Sequence, residues 1–145
     1  MGEVELVPRE YGYVVIVLVL YCFLNFWMGA QVGRARKKYN VPYPTMYASA
    51  ADNKDANLFN CVQRGHQNSI EMMPMFFLLM ALGGIRHPVI AASLGVGYSV
   101  SRFFYFKGYS TGDPKKRLSI GKYGFLATLG LMICTISCGV GLLTA

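Results

Sequence analysis

Residues that hold metals or form disulfides are scarce in this chain of 145 residues. It has two histidines and four cysteines, and only 14% of its residues are charged. The cysteines lie in or beside apolar runs and show no Cys-x-x-Cys spacing, which argues against both a disulfide framework and a metal site. We therefore expect no metal cofactor, and we expect packing roles for cysteines such as Cys134 and Cys138, which share a helix face. The other two are Cys22 and Cys61.

Motifs of several enzyme classes and of nucleic-acid-binding proteins are also missing. The chain shows no Ser-His-Asp set, no cysteine nucleophile and no phosphate-binding loop. Its 14 Lys and Arg residues against 7 Asp and Glu residues give a formal net charge of +7. No zinc or RNA-binding motif accompanies this charge, so we expect no nucleic-acid partner.

Long apolar runs make up most of the chain, and 54% of its residues are hydrophobic. Residues 11–32 include only Asn25 and Gln31 as strongly polar residues, and the run is long enough for the ~20 residues that cross a hydrocarbon core. The flank before it is not basic, and the run exceeds the apolar region of a secretory signal peptide, so we expect a retained membrane span. The charged residues of that flank are Glu3, Glu5, Arg9 and Glu10.

Four such runs predict an all-α integral membrane protein with a single transmembrane domain over residues 1–145. The spans are expected at about 11–33, 57–84, 89–109 and 123–143. Short connections favour an up-down-up-down bundle of the four helices. In the second span we expect Pro74 to kink the helix and Gly83-Gly84 to end it, before a very short turn at residues 86–88.

Basic residues are distributed unequally between the two ends of this bundle. The loops after the first and third spans lie on one side, whereas the other side carries only Arg9 and Arg86. By the positive-inside rule the basic side is cytoplasmic, and both termini are then lumenal or extracellular. The basic side carries Arg34, Arg36, Lys37, Lys38, Lys54, Lys107, Lys115, Lys116, Arg117 and Lys122.

Residues 60–74, with the sequence NCVQRGHQNSIEMMP, place polar groups on the second span in two directions. At 100° per residue, Arg64, Asn68 and Glu71 fall on one face with Gln67, and His66 points to nearly the opposite side. Ionisable groups at membrane depth cost ~2.5–3.5 kcal/mol each, so several on one helix imply a buried polar ligand or a tight internal network. An Arg64–Glu71 pair that merely holds helices together is the alternative.

The third span has a polar face of its own. Arg102, Tyr105 and Tyr109 share this face at spacings of three and four residues, and they end at the depth of Arg64 and Asn68. The two polar faces are therefore expected to meet. For the tyrosines alone, an interfacial aromatic belt is the alternative interpretation.

Two basic loops add Arg36 and Arg117 to these groups. Guanidinium groups bind carboxylates through paired hydrogen bonds, and Glu71 can take an amine. A ligand with carboxylates and an ammonium therefore fits the set. We interpret Lys37, Lys38, Lys115 and Lys116 as topology signals, and Asn25 as an interhelical hydrogen-bonding residue.

Two stretches resemble a known family. RGHQNSIE at residues 64–71 and YFKGYSTGDPKKR at residues 105–117 are similar to the membrane-associated proteins in eicosanoid and glutathione metabolism. FNCVQRGHQN and GYSTGDPKKR most resemble the branch of microsomal glutathione transferase type 3. The similarity covers nearly the whole chain, and the two motifs together are specific.

This resemblance implies a homotrimer of four-helix subunits in the endoplasmic reticulum membrane. It implies that glutathione, as co-substrate, binds at subunit interfaces near the cytoplasmic face. The implied reactions are conjugation of glutathione to lipophilic electrophiles and reduction of lipid hydroperoxides. Glutathione would then supply the nucleophile that the chain lacks.

The resemblance also assigns individual residues. Arg117 matches the arginine that activates the thiol, and Met72 stands where the leukotriene C4 synthase branch has a tyrosine, so that synthase activity is not expected. The positions that match glutathione contacts of one subunit are Arg64, Asn68, Glu71, Tyr105 and Tyr109, and those contributed by its neighbour are Arg36 and His66.

Two other functions remain open at this point. A non-catalytic membrane scaffold that binds and presents lipids could keep the fold, but it would not need the glutathione-binding positions. A channel or transporter would need a continuous polar path, and the lumenal halves of all four predicted spans are apolar. The joint presence of Arg117 and the polar second span favours the enzyme.

Overall fold

A computed structural model describes residues 7–145, and all regular secondary structure in this range is helical, without strands. Its long helices are α1 (Tyr11–Lys38), α2 (Ala56–Arg86), α3 (Pro88–Tyr109) and α5 (Tyr123–Thr144), and between the last two lie a 3₁₀ turn (Pro114–Arg117) and the short helix α4 (Leu118–Gly121). All four long helices are long and apolar enough to cross a membrane. The predicted all-α fold with four spans is thus confirmed for the described part, and the flanking Glu3 and Glu5 lie outside it.

Helix α1 extends beyond its predicted end and takes in basic residues assigned to a loop. Arg36, Lys37 and Lys38 form its last turn. Cations in the last turn of a helix interact favourably with the partial negative charge of the exposed carbonyl groups. These basic residues therefore belong to the end of α1, where the helix sets the direction in which each side chain leaves the backbone.

Helix α2 does not end at Gly83-Gly84, so that prediction was wrong. A Cβ atom on Gly83 would lie 3.0 Å from the Cβ of Cys134, and one on Gly84 would lie 2.7 Å from a methyl group of Val14. The two glycines serve close approach to α5 and α1, as small residues do between membrane helices. Helix α2 continues to Arg86, and it also continues through Pro74.

The connection between α2 and α3 is shorter than predicted. Only His87 separates the two helices, because Arg86 ends α2 and Pro88 is the first residue of α3. Proline suits that first position, since its fixed φ is helical and the missing N–H has no partner there in any helix. Helices α2 and α3 are consequently antiparallel neighbours.

The α2–α3 pair forms the centre of the bundle. Helix α1 packs against both of these helices, and so does α5. One buried cluster, around Tyr21, Phe76 and Met80, fills the half that contains the chain termini. A second cluster, around Met28 and Phe59, fills the basic end. Polar groups facing each other between α2 and α3 are therefore held between two packed apolar regions.

The outer faces of α1 and α5 are strongly apolar. Phe26 on α1 is 74% exposed, and Ile133 and Leu142 on α5 are 66% and 75% exposed. Contiguous exposed apolar surface is unfavourable in water and costs nothing against lipid chains. Helices also satisfy their own backbone hydrogen bonds, which a bilayer requires. The fold is that of a multi-pass membrane protein.

Candidate functional site

Arg102 joins the polar faces of α2 and α3. It is only 6% exposed, and its Nη2 donates to Asn68 Oδ1 at 2.6 Å and to Ser69 Oγ at 2.9 Å. The guanidinium carbon lies 4.0 Å from the centre of the Tyr105 ring. The expected meeting of the two faces is thus observed, and Asn68 and Tyr105 are both held by one buried cation.

The phenol groups continue this polar face toward the basic end. The ring centres of Tyr105 and Tyr109 lie 5.9 Å apart, nearly edge to face. The guanidinium carbon of Arg117 lies 5.7 Å from the centre of the Tyr109 ring, and Arg117 Nη1 donates to the carbonyl oxygen of Pro114. The loop arginine therefore stands at the open end of the α2–α3 face, as its sequence position predicted.

Two glycines let the loop that carries Arg117 pack onto α3. A Cβ atom on Gly108 would collide with the carbonyl oxygen of Lys116, and one on Gly121 would lie 2.9 Å from the Cβ of Tyr105. The 3₁₀ turn itself is capped by Asp113, whose carboxylate accepts from the backbone N–H of Lys115 at 3.0 Å. Any side chain at Gly108 would displace the backbone next to Arg117.

Arg64 and Glu71 form an ion pair on α2 itself. Arg64 Nη1 lies 3.1 Å from Glu71 Oε2, and the side chains are 38% and 49% exposed. Both partners belong to α2, so the ion pair itself does not bridge two helices of the chain. The alternative that the pair has only a structural role stays a prediction. The half-exposed carboxylate and guanidinium remain accessible to a ligand beside Asn68.

His66 points away from this face, as its helix position predicted. Its Nε2 lies 3.2 Å from Asn25 Oδ1 on α1, and Gly29 allows the ring to approach that helix. The predicted interhelical role of Asn25 is confirmed. Within the described residues, no hydrogen bond or ion pair connects His66 to Arg64 or Glu71.

Arg36 is held by the loop between α1 and α2. Its Nη1 donates to the carbonyl oxygen of Thr45 at 2.7 Å and to that of Val41 at 3.3 Å. The guanidinium carbon lies 4.4 Å from the centre of the Tyr43 ring and 5.1 Å from that of Phe59. The structure thus separates the predicted site residues into a group around Arg102 and two residues, Arg36 and His66, that face elsewhere.

Sequence reasoning missed Ser69, and it named Arg102 on the polar face without assigning it a role. Ser69 is buried, accepts from Arg102 and donates to the carbonyl oxygen of Gly65. The signal that could have found it is Arg102 itself. A buried guanidinium has five donors and no acceptor, so it requires several nearby oxygen atoms.

The group around Arg102 suits recognition of a zwitterionic or polyanionic small molecule. It combines guanidinium donors, an amide, two phenols and one carboxylate, with Arg117 at its open end. Charge-assisted hydrogen bonds are stronger here than in water because the bundle interior lowers the dielectric constant. No group of three His, Cys, Asp or Glu side chains within residues 7–145 is placed to hold a metal ion.

The chain is similar to known proteins over most of its length. The sequence model that defines the MAPEG family matches residues 14–137 of this chain. Microsomal glutathione S-transferase 2 of Homo sapiens is 33% identical over 121 residues, which is 80% of this chain and 78% of that protein. The Bos taurus protein of the same name is 34% identical over 117 residues, or 77% and 75% of the two chains.

A further relative is a protein without an assigned function. An uncharacterized protein of Synechocystis sp. is 30% identical over 122 residues, which is 83% of this chain and 81% of that protein. None of these similarities specifies the type 3 branch, which stays a prediction. The matched range includes every predicted site residue from Arg36 to Arg117.

We expect Glu71→Gln to change the free energy of unfolding by less than about 1 kcal/mol, because partly exposed ion pairs contribute little. Arg102→Met should cost about 1–3 kcal/mol, because it leaves the buried hydroxyl of Ser69 and the part-buried oxygen of Asn68 without their donor. Thermal unfolding in detergent, followed by circular dichroism, measures both. If the two variants lose similar stability, the Arg64–Glu71 pair is a structural element and not a ligand-binding one.

Proposed function

The chain belongs to the MAPEG family of membrane proteins, and on that premise we propose that it is a membrane-bound glutathione transferase. Its reactions are conjugation of glutathione to lipophilic electrophiles, reduction of lipid hydroperoxides with glutathione, or both. Similarity to microsomal glutathione S-transferase 2 over most of the chain supports the transferase. The observation that carries the proposal is the array of Arg64, Glu71, Asn68 and Arg102 that leads to Arg117.

The charges of this array complement those of glutathione, which has two carboxylates and one ammonium. In the proposed complex a carboxylate of the ligand binds Arg64 and the amide of Asn68, and the ammonium binds Glu71. The ligand thereby replaces the partners that Arg64 and Glu71 offer each other at 3.1 Å. Tyr105 and Tyr109 line the path from these groups to Arg117.

A second copy of the chain would give a role to the two predicted site residues that do not face the group around Arg102. Arg36 and His66 do not join the group around Arg102, yet they match glutathione-contacting positions of a neighbouring subunit. In a homotrimer the central α2 helices face two neighbours each, so each cleft receives residues from two subunits. We place this assembly in the endoplasmic reticulum membrane, with the active site toward the cytoplasmic face that the basic residues indicate.

Arg117 is the proposed activator of the glutathione thiol. A free thiol has a pKa near ~8.5, so only a few per cent is thiolate at neutral pH. Lowering the pKa of the bound thiol by roughly two units makes most of it reactive and corresponds to about 2.7 kcal/mol of thiolate stabilisation. A permanent positive charge next to the sulfur supplies much of this, and Arg117 stands at the open end of the site beside Tyr109.

Turnover by the purified protein tests the proposal directly. Detergent-purified full-length chain is assayed with glutathione plus an aryl halide, and separately with glutathione plus a lipid hydroperoxide. We expect saturable turnover in at least one assay, and the ratio of the two defines the balance of activities. Folded protein that binds glutathione but turns over neither substrate would instead favour the non-catalytic, lipid-presenting scaffold.

Glu71→Gln and Arg64→Ala are expected to weaken glutathione binding. Each removes a charged partner, and hydrogen bonds to charged groups contribute roughly 1.5–3 kcal/mol, or about ten- to one-hundred-fold in affinity. Calorimetric titration of the folded variants measures the loss. Arg86→Ala, an exposed arginine at the opposite end of α2, serves as the control, and unchanged affinity in the two site variants would remove them from the site.

Arg117→Ala should lose the thiolate absorbance of bound glutathione and most of the turnover, with a smaller change in affinity. Lys115→Ala and Lys116→Ala are the matched controls, because they remove equal charge from the same loop. If a lysine variant loses the thiolate signal and Arg117→Ala keeps it, the activating charge is the lysine.

Gly108 lies against the backbone of Lys116 and Arg117, so a substitution there gives a second way to displace Arg117. Gly108→Ala should displace the 3₁₀ turn and lower the thiolate signal, although Arg117 itself is unchanged. Gly97→Ala on the same helix is the control, since nothing lies within 4 Å of a Cβ atom there. An equal thiolate signal in both glycine variants would show that the position of the turn does not matter for activation.

Native mass spectrometry in mild detergent should show a trimer. Mixing subunits provides a functional test, because Arg36→Ala and Arg64→Ala affect opposite sides of the proposed interface. Trimers assembled from both variants should regain part of the activity that each lacks, since some interfaces then combine two intact sides. A monodisperse monomer that still binds glutathione would contradict the inter-subunit site.

A further inference from the structure

A second polar cleft lies at the basic end of the bundle, between the ends of α1 and α3. Its volume is about 200 Å³. Phe106 and Lys107 of α3 line it together with Ser110, the residue that follows this helix. The candidate glutathione site instead uses Arg102, Tyr105 and Tyr109 of α3. The other lining residues are Trp27, Gln31, Arg34, Ala35, Lys38, Tyr39 and Val62.

Three cations converge on this cleft without a counter-charge. Arg34 and Lys38 come from successive turns of α1, Lys107 comes from α3, and no carboxylate lines the cleft. Within residues 7–145, Arg34 and Lys107 form no ion pair, and Lys38 meets only the ring of Tyr39, at 5.3 Å. Nearby like charges repel each other, so an anion between them is favourable.

An unpaired hydroxyl group lies at the same cleft. The Oγ atom of Ser110 is buried and has no hydrogen-bond partner within the described residues. A buried polar atom without a partner costs about 1–3 kcal/mol. Because Ser110 lines the cleft, a rotation about its Cα–Cβ bond brings the hydroxyl to an occupant with acceptor oxygen atoms and removes this cost. Gln31 offers an amide on the opposite wall. The cleft therefore has donors and positive charge but little that attracts a cation.

The remaining surface of the cleft is apolar and continues toward the bilayer. Val62 and Phe106 form its floor, and the Trp27 ring packs against Phe106 with 5.5 Å between ring centres. Phe23, one turn deeper than Trp27 on α1, and Phe26, the residue before Trp27, are both exposed. Tryptophan is typical of the membrane interface. The cleft thus changes from cationic at its mouth to apolar toward the bilayer. A lipid suits this arrangement better than a soluble anion does, because its phosphate contacts the cations while its acyl chains lie along the phenylalanines.

We propose that this cleft binds the phosphate headgroup of an anionic phospholipid from the leaflet at the basic end of the bundle. Arg34, Lys38 and Lys107 contact the phosphate, and Ser110 donates a hydrogen bond to it. The site is independent of the proposed glutathione chemistry. Each cation near an anionic membrane surface changes the association constant roughly fivefold.

Trp27 makes the test direct, because it is the single tryptophan of the chain and it lines the cleft. The full-length protein is reconstituted into phosphatidylcholine vesicles with rising fractions of a lipid spin-labelled near the top of its acyl chain. Quenching of Trp27 fluorescence then compares spin-labelled phosphatidylglycerol with spin-labelled phosphatidylcholine. We expect the anionic lipid to associate about fivefold or more tightly, and equal quenching by both lipids would overturn the proposal.

Charge-matched variants separate the cleft from general basicity. Lys38→Gln with Lys107→Gln should abolish most of the preference for phosphatidylglycerol. Lys37→Gln with Lys54→Gln removes the same charge from the same side and should keep it. Ser110→Ala should cause a smaller loss. If the two double variants lose the preference equally, the attraction belongs to the whole surface and the cleft is not a site.

Soluble competitors identify the source of the anion. Millimolar inorganic phosphate should leave the quenching by phosphatidylglycerol unchanged at constant ionic strength, and so should saturating glutathione. Displacement by inorganic phosphate would assign the cleft to a free anion and overturn the lipid proposal. Displacement by glutathione would make the cleft part of the glutathione site. Loss of transferase turnover in the assays above would not affect this result.

Discussion

A charge buried inside a membrane protein must find its partners within the protein, and Arg102 is where this chain meets that requirement. With water excluded, its guanidinium relies on the amide of Asn68, the hydroxyl of Ser69 and the face of the Tyr105 ring. These contacts fix the depth and rotation of α2 relative to α3. The other polar groups of the site take their places from that junction.

Helix α2 presents polar groups in two directions. Toward α3 it offers Asn68 and the accessible Arg64–Glu71 pair, and toward α1 it offers His66, bonded to Asn25. An isolated subunit leaves the first set partly exposed at a depth where exposure to lipid is unfavourable. The geometry that supports the proposed glutathione site within the bundle therefore also favours a neighbour that covers it.

The glycines of this chain show where the prediction of helix ends from local sequence fails. A Gly-Gly pair near the end of an apolar run normally indicates a helix end, yet Gly83 and Gly84 lie inside α2, because neighbouring helices pack against them. Gly108 has the same function at the 3₁₀ turn. Sequence patterns contain no information about which helix approaches a given position, so the distinction between a stop and a close contact required the packed structure.

The sequence by itself determined the four apolar helices, their alternating direction, the basic end, the polar face of α2 and the separate direction of His66. These follow from run length and from the 100° step of a helix, which are local properties. The tertiary structure decided that Arg102 is buried between Asn68 and Ser69 and that Arg64 pairs with Glu71 on the same helix. It decided that the 3₁₀ turn packs onto α3 and places Arg117 at the open end. It also decided that three cations and Ser110 surround a second cleft. The burial of Arg102 and the second cleft depend on contacts between residues far apart in the chain, and such contacts form only when helices of defined rotation pack together.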